Sequence, residues 1–319
     1  FTNIKLTSDI TFTSNRQWFN IRNHDLTFDG SGYTITIEYN RTNTNTGSRH
    51  YGLFKNQSAC SWNNNAINVT STKIYTGYYN SYDVGYSNIT IKNFNVFGKS
   101  AWAVNQYGWI TNIYFGVGTN LTLEDIHVKG SNDNNTSGAL VGQNTCRYGT
   151  LKLKRCSCHT TICRYGGGLL GHLAPDEGLL ILEECFTTGS ADIAAVAHNT
   201  QTSRSGNLLA YYTGRNSKVI IKNCYTSGYI GSQSGGVAGE YGLTLDYTQF
   251  QNSFREITGF YSSGRIYDVN DVSPSGTDNS AYMYRAGGAI KMSHNRNATA
   301  WIQDIPVNNS YDLSGGKWN

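Results

Sequence analysis

Four carboxylates are the residues of this sequence whose type and spacing could support acid/base chemistry. They form two adjacent pairs, Glu124-Asp125 and Glu183-Glu184. Hydrolysis of a glycosidic bond needs two carboxyl groups about 5–9.5 Å apart, one of which donates a proton. The two pairs are therefore the candidate catalytic residues if the chain is a glycoside hydrolase or a polysaccharide lyase.

The charges between the two pairs favour a structural role for them. Lys154-Arg155 occupies the equivalent position in the intervening segment. If the three segments are neighbouring strands, Glu124 and Glu183 lie about 9.6 Å apart, at the upper limit for a hydrolase. Arg155 between Asp125 and Glu184 should lower the pKa of both carboxyl groups and keep them ionised. We therefore expect an ion-pair ladder here and assign no catalytic residue.

Five short segments position these charges, and in each of them apolar residues lie two positions apart, which is strand spacing. Successive segments begin 32, 30, 29 and 39 residues apart. Self-similarity with a period of about 20–50 residues is typical of a solenoid, in which each repeat buries its apolar face against its neighbours. The segments are Ile89-Thr90-Ile91, Leu121-Thr122-Leu123, Leu151-Lys152-Leu153, Leu180-Ile181-Leu182 and Val219-Ile220-Ile221.

Alignment of the five segments predicts which residues face inward and which face solvent. An apolar column is expected to line the core, and its members are Phe94, Ile126, Cys156, Cys185 and Cys224, with Phe260 as a weaker sixth. A second column alternates in sign, and opposite charges on neighbouring strands attract each other. It should face solvent, and its members are Lys92, Glu124, Lys154, Glu183 and Lys222.

A glycine motif recurs after four of the five segments and predicts a corner of the repeat. Glycine at one repeated phase fits a position with positive φ or with a close backbone approach. A phosphate-binding loop is disfavoured because no Gly-Lys-Ser/Thr follows and no helical pattern begins there. The motif occurs at Ser137–Gly142, Gly166–Gly171, Ser205–Ala210 and Ser234–Gly239.

Two of these repeats resemble a known family. Asn223-Cys224-Tyr225-Thr226-Ser227-Gly228, followed by Ser234–Gly239, is similar to the GLUG-type repeat of large secreted and surface proteins, and Glu184-Cys185-Phe186-Thr187-Thr188-Gly189 is a second match. The resemblance covers residues 87–264. It implies a right-handed parallel β-helix, as in bacterial surface adhesins and similar proteins of large DNA viruses. It carries no catalytic residues with it.

The predicted fold is therefore all-β, a right-handed parallel β-helix with an irregular C-terminal cap. The β-helix is expected over residues 1–264, with the clearest repeats at 87–264. Residues 265–319 are expected to form the cap or a partner-binding tail, since a solenoid must cover its open edges. Residues 40–85 are polar and rich in Tyr, which predicts long loops.

Seven cysteines cannot all pair within one chain. Those of the inward column are predicted to be reduced packing residues. A disulfide among Cys146, Cys158 and Cys163 is the alternative use of the others, and the sequence does not select the pairing. Zinc is disfavoured because the cysteine spacing is not that of paired Cys-x-x-Cys ligands. We predict no metal and no cofactor.

Composition limits the partners of the chain. A net charge of +4 with 14% charged residues includes no basic cluster, so nucleic-acid binding is not expected. No apolar stretch reaches the length of a membrane span. Nine Asn-x-Ser/Thr sequons are candidate N-glycosylation sites, close to the number expected by chance, and they lie at Asn40, Asn56, Asn68, Asn88, Asn120, Asn134, Asn135, Asn297 and Asn308.

The function predicted from these observations is a non-enzymatic structural or adhesive β-solenoid. We expect it to be extracellular, at a cell surface or in a virion, and to present loops and aromatic faces to glycan or protein partners, with self-assembly into a larger particle as a further option. Aromatic rings suit both sugars and protein surfaces. The candidate ligand-binding residues are Tyr78, Tyr79, Tyr82, Trp102 and Trp109, and an interior role is the alternative for some of them.

Overall fold

A computed structural model describes the chain at residues 2–14, 17–21, 25–39, 49–56, 87–103, 106–116, 118–132, 138, 140–160, 162, 165–189, 205–227, 237–239, 255–259, 261–262, 307–308 and 311–312. Within these ranges the regular elements are all β-strands. The same ranges contain no helix long and apolar enough to cross a membrane. The all-β class predicted from the sequence is confirmed.

The strands of the first half of the chain are mostly short, apart from two long ones. They are β1 (Thr2–Lys5), β2 (Ile10–Phe12), β3 (Phe19–Ile21), β4 (Leu26–Asp29), β5 (Thr34–Ile37), β6 (Arg49–His50), β7 (Phe54–Asn56), β8 (Asn88–Ala103) and β9 (Asn120–Asn132). The later strands come mainly in close pairs. They are β10 (Thr150–Lys154), β11 (Ser157–His159), β12 (Leu179–Glu183), β13 (Phe186–Thr187), β14 (Lys218–Lys222), β15 (Tyr225–Thr226), β16 (Arg255–Thr258), β17 (Tyr261–Ser262), β18 (Val307–Asn308) and β19 (Tyr311–Asp312).

One parallel ladder contains the five segments predicted from the sequence. We call it the first ladder, and its strands in order are β1, β4, β8, β9, β10, β12, β14, β16 and β18. Ile89 pairs with Leu121, Leu121 with Leu151, and Leu180 with both Leu151 and Val219. The spacings of 32, 30, 29 and 39 residues are therefore the true strand register.

A second parallel ladder runs beside the first, around a corner of the backbone. Its strands in order are β2, β5, β8, β9, β11, β13, β15, β17 and β19. β8 and β9 continue through the corner and belong to both ladders. The later strands divide there, as β10 and β11 do.

A third set of parallel pairings joins the glycine motifs, as their common phase predicted. β3 pairs with β7, and single bridges then link Gly138 to Gly167 and Gly167 to Gly206. A Cβ atom on Gly167 would overlap the backbone of Leu170 and Ala210. Close backbone approach is thus the reason for glycine at this position.

The predicted inward column lies in the core between the ladders. Phe94, Ile126, Cys156, Cys185 and Cys224 are all buried, whereas Phe260 lies outside the described residues. At the N-terminal end the core is aromatic, and the ring centroid of Phe28 lies 4.9 Å from that of Phe54 and 5.8 Å from that of Phe94. The alternation of apolar residues along each strand therefore predicted the interior correctly.

Both ladders reach into the tail that the sequence assigns to a cap. Val307 of β18 pairs with Ile257, and Tyr311 of β19 pairs with Tyr261. Parallel strand pairing therefore continues beyond residue 264. The division into a repeat domain and a cap remains a prediction, since most of residues 265–319 lie outside the described ranges.

Candidate functional site

The four predicted carboxylates lie on the outer side of the first ladder and at its corner, where each one meets a cation. Nη2 of Arg155 lies 2.6 Å from Glu124, and its Nε lies 2.7 Å from Asp125. Nη1 of the same guanidinium lies 4.0 Å from Glu184. Glu183 pairs with Lys152 at 3.1 Å. Arg155 therefore bridges the two carboxylate pairs, as its position between them predicted.

This network opposes proton donation. The two hydrogen bonds from Arg155 hold the pKa of Asp125 below its usual range and raise the pKa of Arg155 itself. A general acid for glycoside cleavage needs the opposite shift, an elevated carboxyl pKa. The alternating column also extends to Lys5 and Asp29, which are in register with Lys92. The cluster is built as an ion-pair ladder.

The corner between the two ladders holds a column of residues with left-handed backbone conformation. Asn93, Asp125, Arg155, Glu184 and Asn223 have φ between 50° and 59°. Asn and Asp adopt this region readily, whereas longer side chains such as Arg and Glu do so at a cost. Arg155 is compensated by its ion pairs, but among the described residues the Glu184 carboxylate has only the 4.0 Å ion pair with Arg155. Substitution of Glu184 should therefore remove little stabilising interaction while it relieves the backbone strain.

We expect Glu184→Gly to raise the free energy of unfolding by about 1 kcal/mol, because glycine adopts positive φ without a Cβ penalty. Glu183→Gly is the matched control. Glu183 lies within β12 and pairs with Lys152, so this change should lower stability. Urea unfolding of the two variants checks the difference. Equal destabilisation by both changes would contradict the assignment of strain to residue 184.

Trp109 was one of the candidate ligand-binding residues, and the structure instead gives it the interior role that was the alternative. Its side chain is fully buried, at 0% exposure. The indole ring lies over Gly98 and Gly130, where any Cβ atom would overlap it. Its other side stacks on His50, with ring centroids 5.0 Å apart. Trp109 is thus a core residue, and its ring packs against two glycines.

The other predicted aromatic residues stay predictions. Tyr78, Tyr79 and Tyr82 lie outside the described residues. The backbone of Trp102 belongs to β8 and pairs with Arg49 and Ser131. No contact of the Trp102 side chain is described.

The cysteines that the structure describes are buried free thiols. They include Cys146 and Cys158, so the predicted disulfide is not formed at either residue, and Cys163 lies outside the described ranges. Burial raises the pKa of Cys146 and raises that of Cys158 to about 12. Both thiols pack in the apolar interior, which explains why they stay protonated. The inward column cysteines are reduced packing residues, as predicted.

Two of the nine predicted sequons lie on an exposed part of the first ladder. Asn88 and Asn120 are both exposed and directly in register. The Asn120 amide donates a hydrogen bond to the Asn88 carbonyl oxygen at 3.1 Å. Asn56 and Asn308 are described only by their place in β7 and β18. The remaining sequons lie outside the described residues, at Asn40, Asn68, Asn134, Asn135 and Asn297.

The outer side of the second ladder carries exposed aromatic residues, and we call it the second-ladder face. Phe97 and Phe186 are each 39% exposed. Tyr225 is half-buried and directly in register with Phe186. The same register position is occupied by Tyr261 and then by Tyr311 on the next strands. Four successive strands therefore place an aromatic residue at one register position.

Polar residues occupy the middle of the second-ladder face. His127 and Ser157 are hydrogen-bonded at 2.7 Å, and His159 is hydrogen-bonded to Thr188. A Ser–His pair can serve nucleophilic catalysis only if a third group orients the histidine. The nearby carboxylate of Asp125 is instead held by Arg155 at 2.7 and 2.9 Å. The pairs therefore act as cross-strand hydrogen bonds on the outer side of the ladder.

The second-ladder face was missed by the sequence reasoning, although a signal for it was present. Phe186 and Tyr225 each follow a cysteine of the inward column. Because side chains alternate across a strand, the residue after an inward one must face outward. The alignment that placed the cysteines inside could thus have placed these rings outside.

A buried ion triad stabilises the turn after the third set of pairings. Asp176 is fully buried, and its Oδ2 lies 3.0 Å from Nη2 of both Arg147 and Arg215. Nε of Arg215 donates a second bond to Oδ1 at 3.0 Å, and Arg147 also pairs with Glu177 at 2.9 Å. The carboxylate therefore joins three successive repeats.

Comparison with known proteins does not identify a relative of this chain. The resemblance to GLUG-type repeats rests on the motifs around Cys185 and Cys224, and it remains a prediction. Comparison of the chain with protein-family models, with curated proteins and with solved structures found no match.

Proposed function

We propose that the chain is a right-handed parallel β-helix that forms a stiff, non-enzymatic structural or adhesive element. Each repeat of 29–39 residues contributes in turn to the first ladder, the second ladder and the glycine-motif pairings. Three sets of parallel pairings shared by successive repeats support a β-helix. Nine described strands of the first ladder, spaced at about 4.8 Å, make a stack on the order of 40 Å long. The GLUG-type resemblance supports the same architecture.

The second-ladder face is the part of this rod that we assign to partner binding, with a glycan as the first candidate ligand. The observation that carries the proposal is the aromatic row of Phe186 and Tyr225, continued in register by Tyr261 and Tyr311. The exposed ring of Phe186 and the half-buried ring of Tyr225 offer flat apolar surface, and the adjacent His127 and Lys129 are exposed hydrogen-bonding groups. Such rods act at cell surfaces, in extracellular assemblies or in virions, where we place this chain.

The paired carboxylates weigh against a polysaccharide lyase or glycoside hydrolase. All four are engaged by Arg155 or Lys152, and the pKa of Asp125 is lowered rather than raised. A retained catalytic acid would need a carboxyl group free to hold its proton at neutral pH. Binding without turnover is thus the activity that we expect on a polysaccharide.

A glycan array followed by calorimetry tests the proposal. We expect wild-type protein to bind at least one glycan, and Phe186→Ala together with Tyr225→Ala to weaken that binding by about tenfold, the loss typical of a central aromatic contact. Ile4→Ala is the matched control, because Ile4 is similarly exposed, at 41%, but lies in β1. Release of new reducing ends should not occur. Unchanged affinity in the Phe186/Tyr225 variant would remove the second-ladder face from the proposal.

A further inference from the structure

A second cluster of aromatic residues surrounds a lysine near the N-terminal end of the rod. Lys55 lies in β7, directly in register with Asn20 of β3. Its Nζ lies 3.5 Å from the centroid of the Trp18 ring and 5.5 Å from that of Tyr51. Tyr107 packs edge-on against Tyr51, with centroids 5.0 Å apart. Trp18 is 40% exposed, so the cluster opens to solvent on one side.

The charge of Lys55 has no acidic partner within the described part of the chain. Five other lysines each have a carboxylate within 4.0 Å of Nζ, and they are Lys92, Lys99, Lys152, Lys154 and Lys222. Lys55 is half-buried, and this burial lowers its pKa to about 8. Its cation–π contacts compensate for part of the hydration free energy that the ammonium group loses on burial. An ammonium group in this position still gains from an anion, because partial burial without an opposite charge is unfavourable.

We propose that Lys55, Trp18 and Tyr51 form a subsite for an acidic sugar residue, one that carries a carboxylate or a sulfate. The ammonium group donates charge-assisted hydrogen bonds to the acid group. Trp18 has one ring face under Lys55 and a 40% exposed surface for the sugar ring. The aromatic and cationic groups thus match the two parts of such a ligand. The subsite is separate from the second-ladder face and stands even if that face binds a protein.

Calorimetric titration with three probes tests the subsite: trigalacturonate, the neutral galactose trisaccharide and sodium sulfate. We expect trigalacturonate to bind at least about tenfold more tightly than either other probe, since removal of a charge-assisted contact costs about 1.4 kcal/mol or more. Lys55→Met should abolish this preference, whereas Lys55→Arg should keep part of it. Lys218→Met is the control, because Lys218 is an exposed lysine that lies in β14.

A second measurement separates ligand binding from a change in folding. In wild-type protein, the NMR titration of the Lys55 side chain should move to higher pH when trigalacturonate is bound, because the anion stabilises the ammonium form. The Phe186→Ala/Tyr225→Ala variant should show the same movement, since its changes lie on the other face. Equal binding of the neutral sugar, equal affinity for sulfate, no binding at all, or full binding by Lys55→Met would each overturn the proposal.

Discussion

Replacement of Asp176 by asparagine is expected to lower the free energy of unfolding by about 3–5 kcal/mol, the cost of removing one partner of a buried ion pair. Asparagine has nearly the same shape, so the loss is one of charge. The side chains of Arg147 and Arg215 are only 10% and 20% exposed. Without the carboxylate, Arg215 loses its two bonds to Asp176 while it is largely removed from water, and Arg147 keeps its bond to Glu177.

Chemical denaturation of Asp176→Asn and of Glu184→Gln measures this effect. The control removes a carboxylate that is exposed and 4.0 Å from its partner, so its change should stay within about 0.5 kcal/mol. A third variant, Arg147→Met/Asp176→Leu/Arg215→Met, should recover much of the lost stability, because buried charges replaced by packed apolar groups need no partner. Equal stability of Asp176→Asn and the control would show that the triad is solvated.

The spacing of the triad residues along the chain shows that the repeat pattern extends from the strands into the turns. Arg147, Asp176 and Arg215 are 29 and 39 residues apart, the same separations as Cys156, Cys185 and Cys224. Once the strand register is known, any residue of a turn can be placed above its counterpart in the next repeat. The sequence therefore contained the information needed to stack the three side chains, although the burial of Asp176 depends on how the turn folds.

The fold was predictable from sequence to the extent that it depends on alternation. Leu151 and Leu153 alternate with Lys152 and Lys154, and β10 buries the leucines as this pattern indicates. The same rule fails at the corners, because there the backbone leaves the extended conformation. Glu184 has a φ of 56°, and no propensity of glutamate predicts this.

Trp109 shows the other limit of sequence reasoning. Its burial depends on Gly98 and Gly130, which are 11 and 21 residues away along the chain and belong to β8 and β9. A tryptophan beside a turn motif has no local feature that separates a core ring from a ligand-binding one. Only the stacking of two glycines from neighbouring strands creates the space that the ring fills. The exposed and buried aromatic residues are thus distinguished by the packing of several repeats.

The two faces proposed for binding follow from the same packing. Side chains alternate across each strand, so the residues between inward-facing positions must lie outside. Phe186 is exposed in this way in the second ladder, and Trp18 is exposed beside β3 of the third set of pairings. A rod that presents binding residues on several repeats can contact an extended partner at several points. Several weak contacts then act together and raise the overall affinity.

Substitution of Trp109 by alanine should destabilise the protein by about 3–5 kcal/mol, since it removes a large buried ring and leaves a cavity. The stacking contact with His50 is lost as well. Gly130→Ala should cost about 1–3 kcal/mol by the opposite mechanism, overpacking. A Cβ atom at residue 130 would lie 2.5 Å from Cζ2 of Trp109, and residue 130 has no positive φ to explain its glycine.

The double variant Trp109→Ala/Gly130→Ala separates these mechanisms. If the ring itself excludes a side chain at residue 130, the added methyl group fits the cavity, and the double variant should be more stable than the sum of the single changes predicts by about 1 kcal/mol or more. Urea unfolding of the four proteins of the cycle measures this coupling. Strict additivity would mean that Gly130 serves the backbone rather than the indole, and the packing of Trp109 on the two glycines would then not be the reason for its burial.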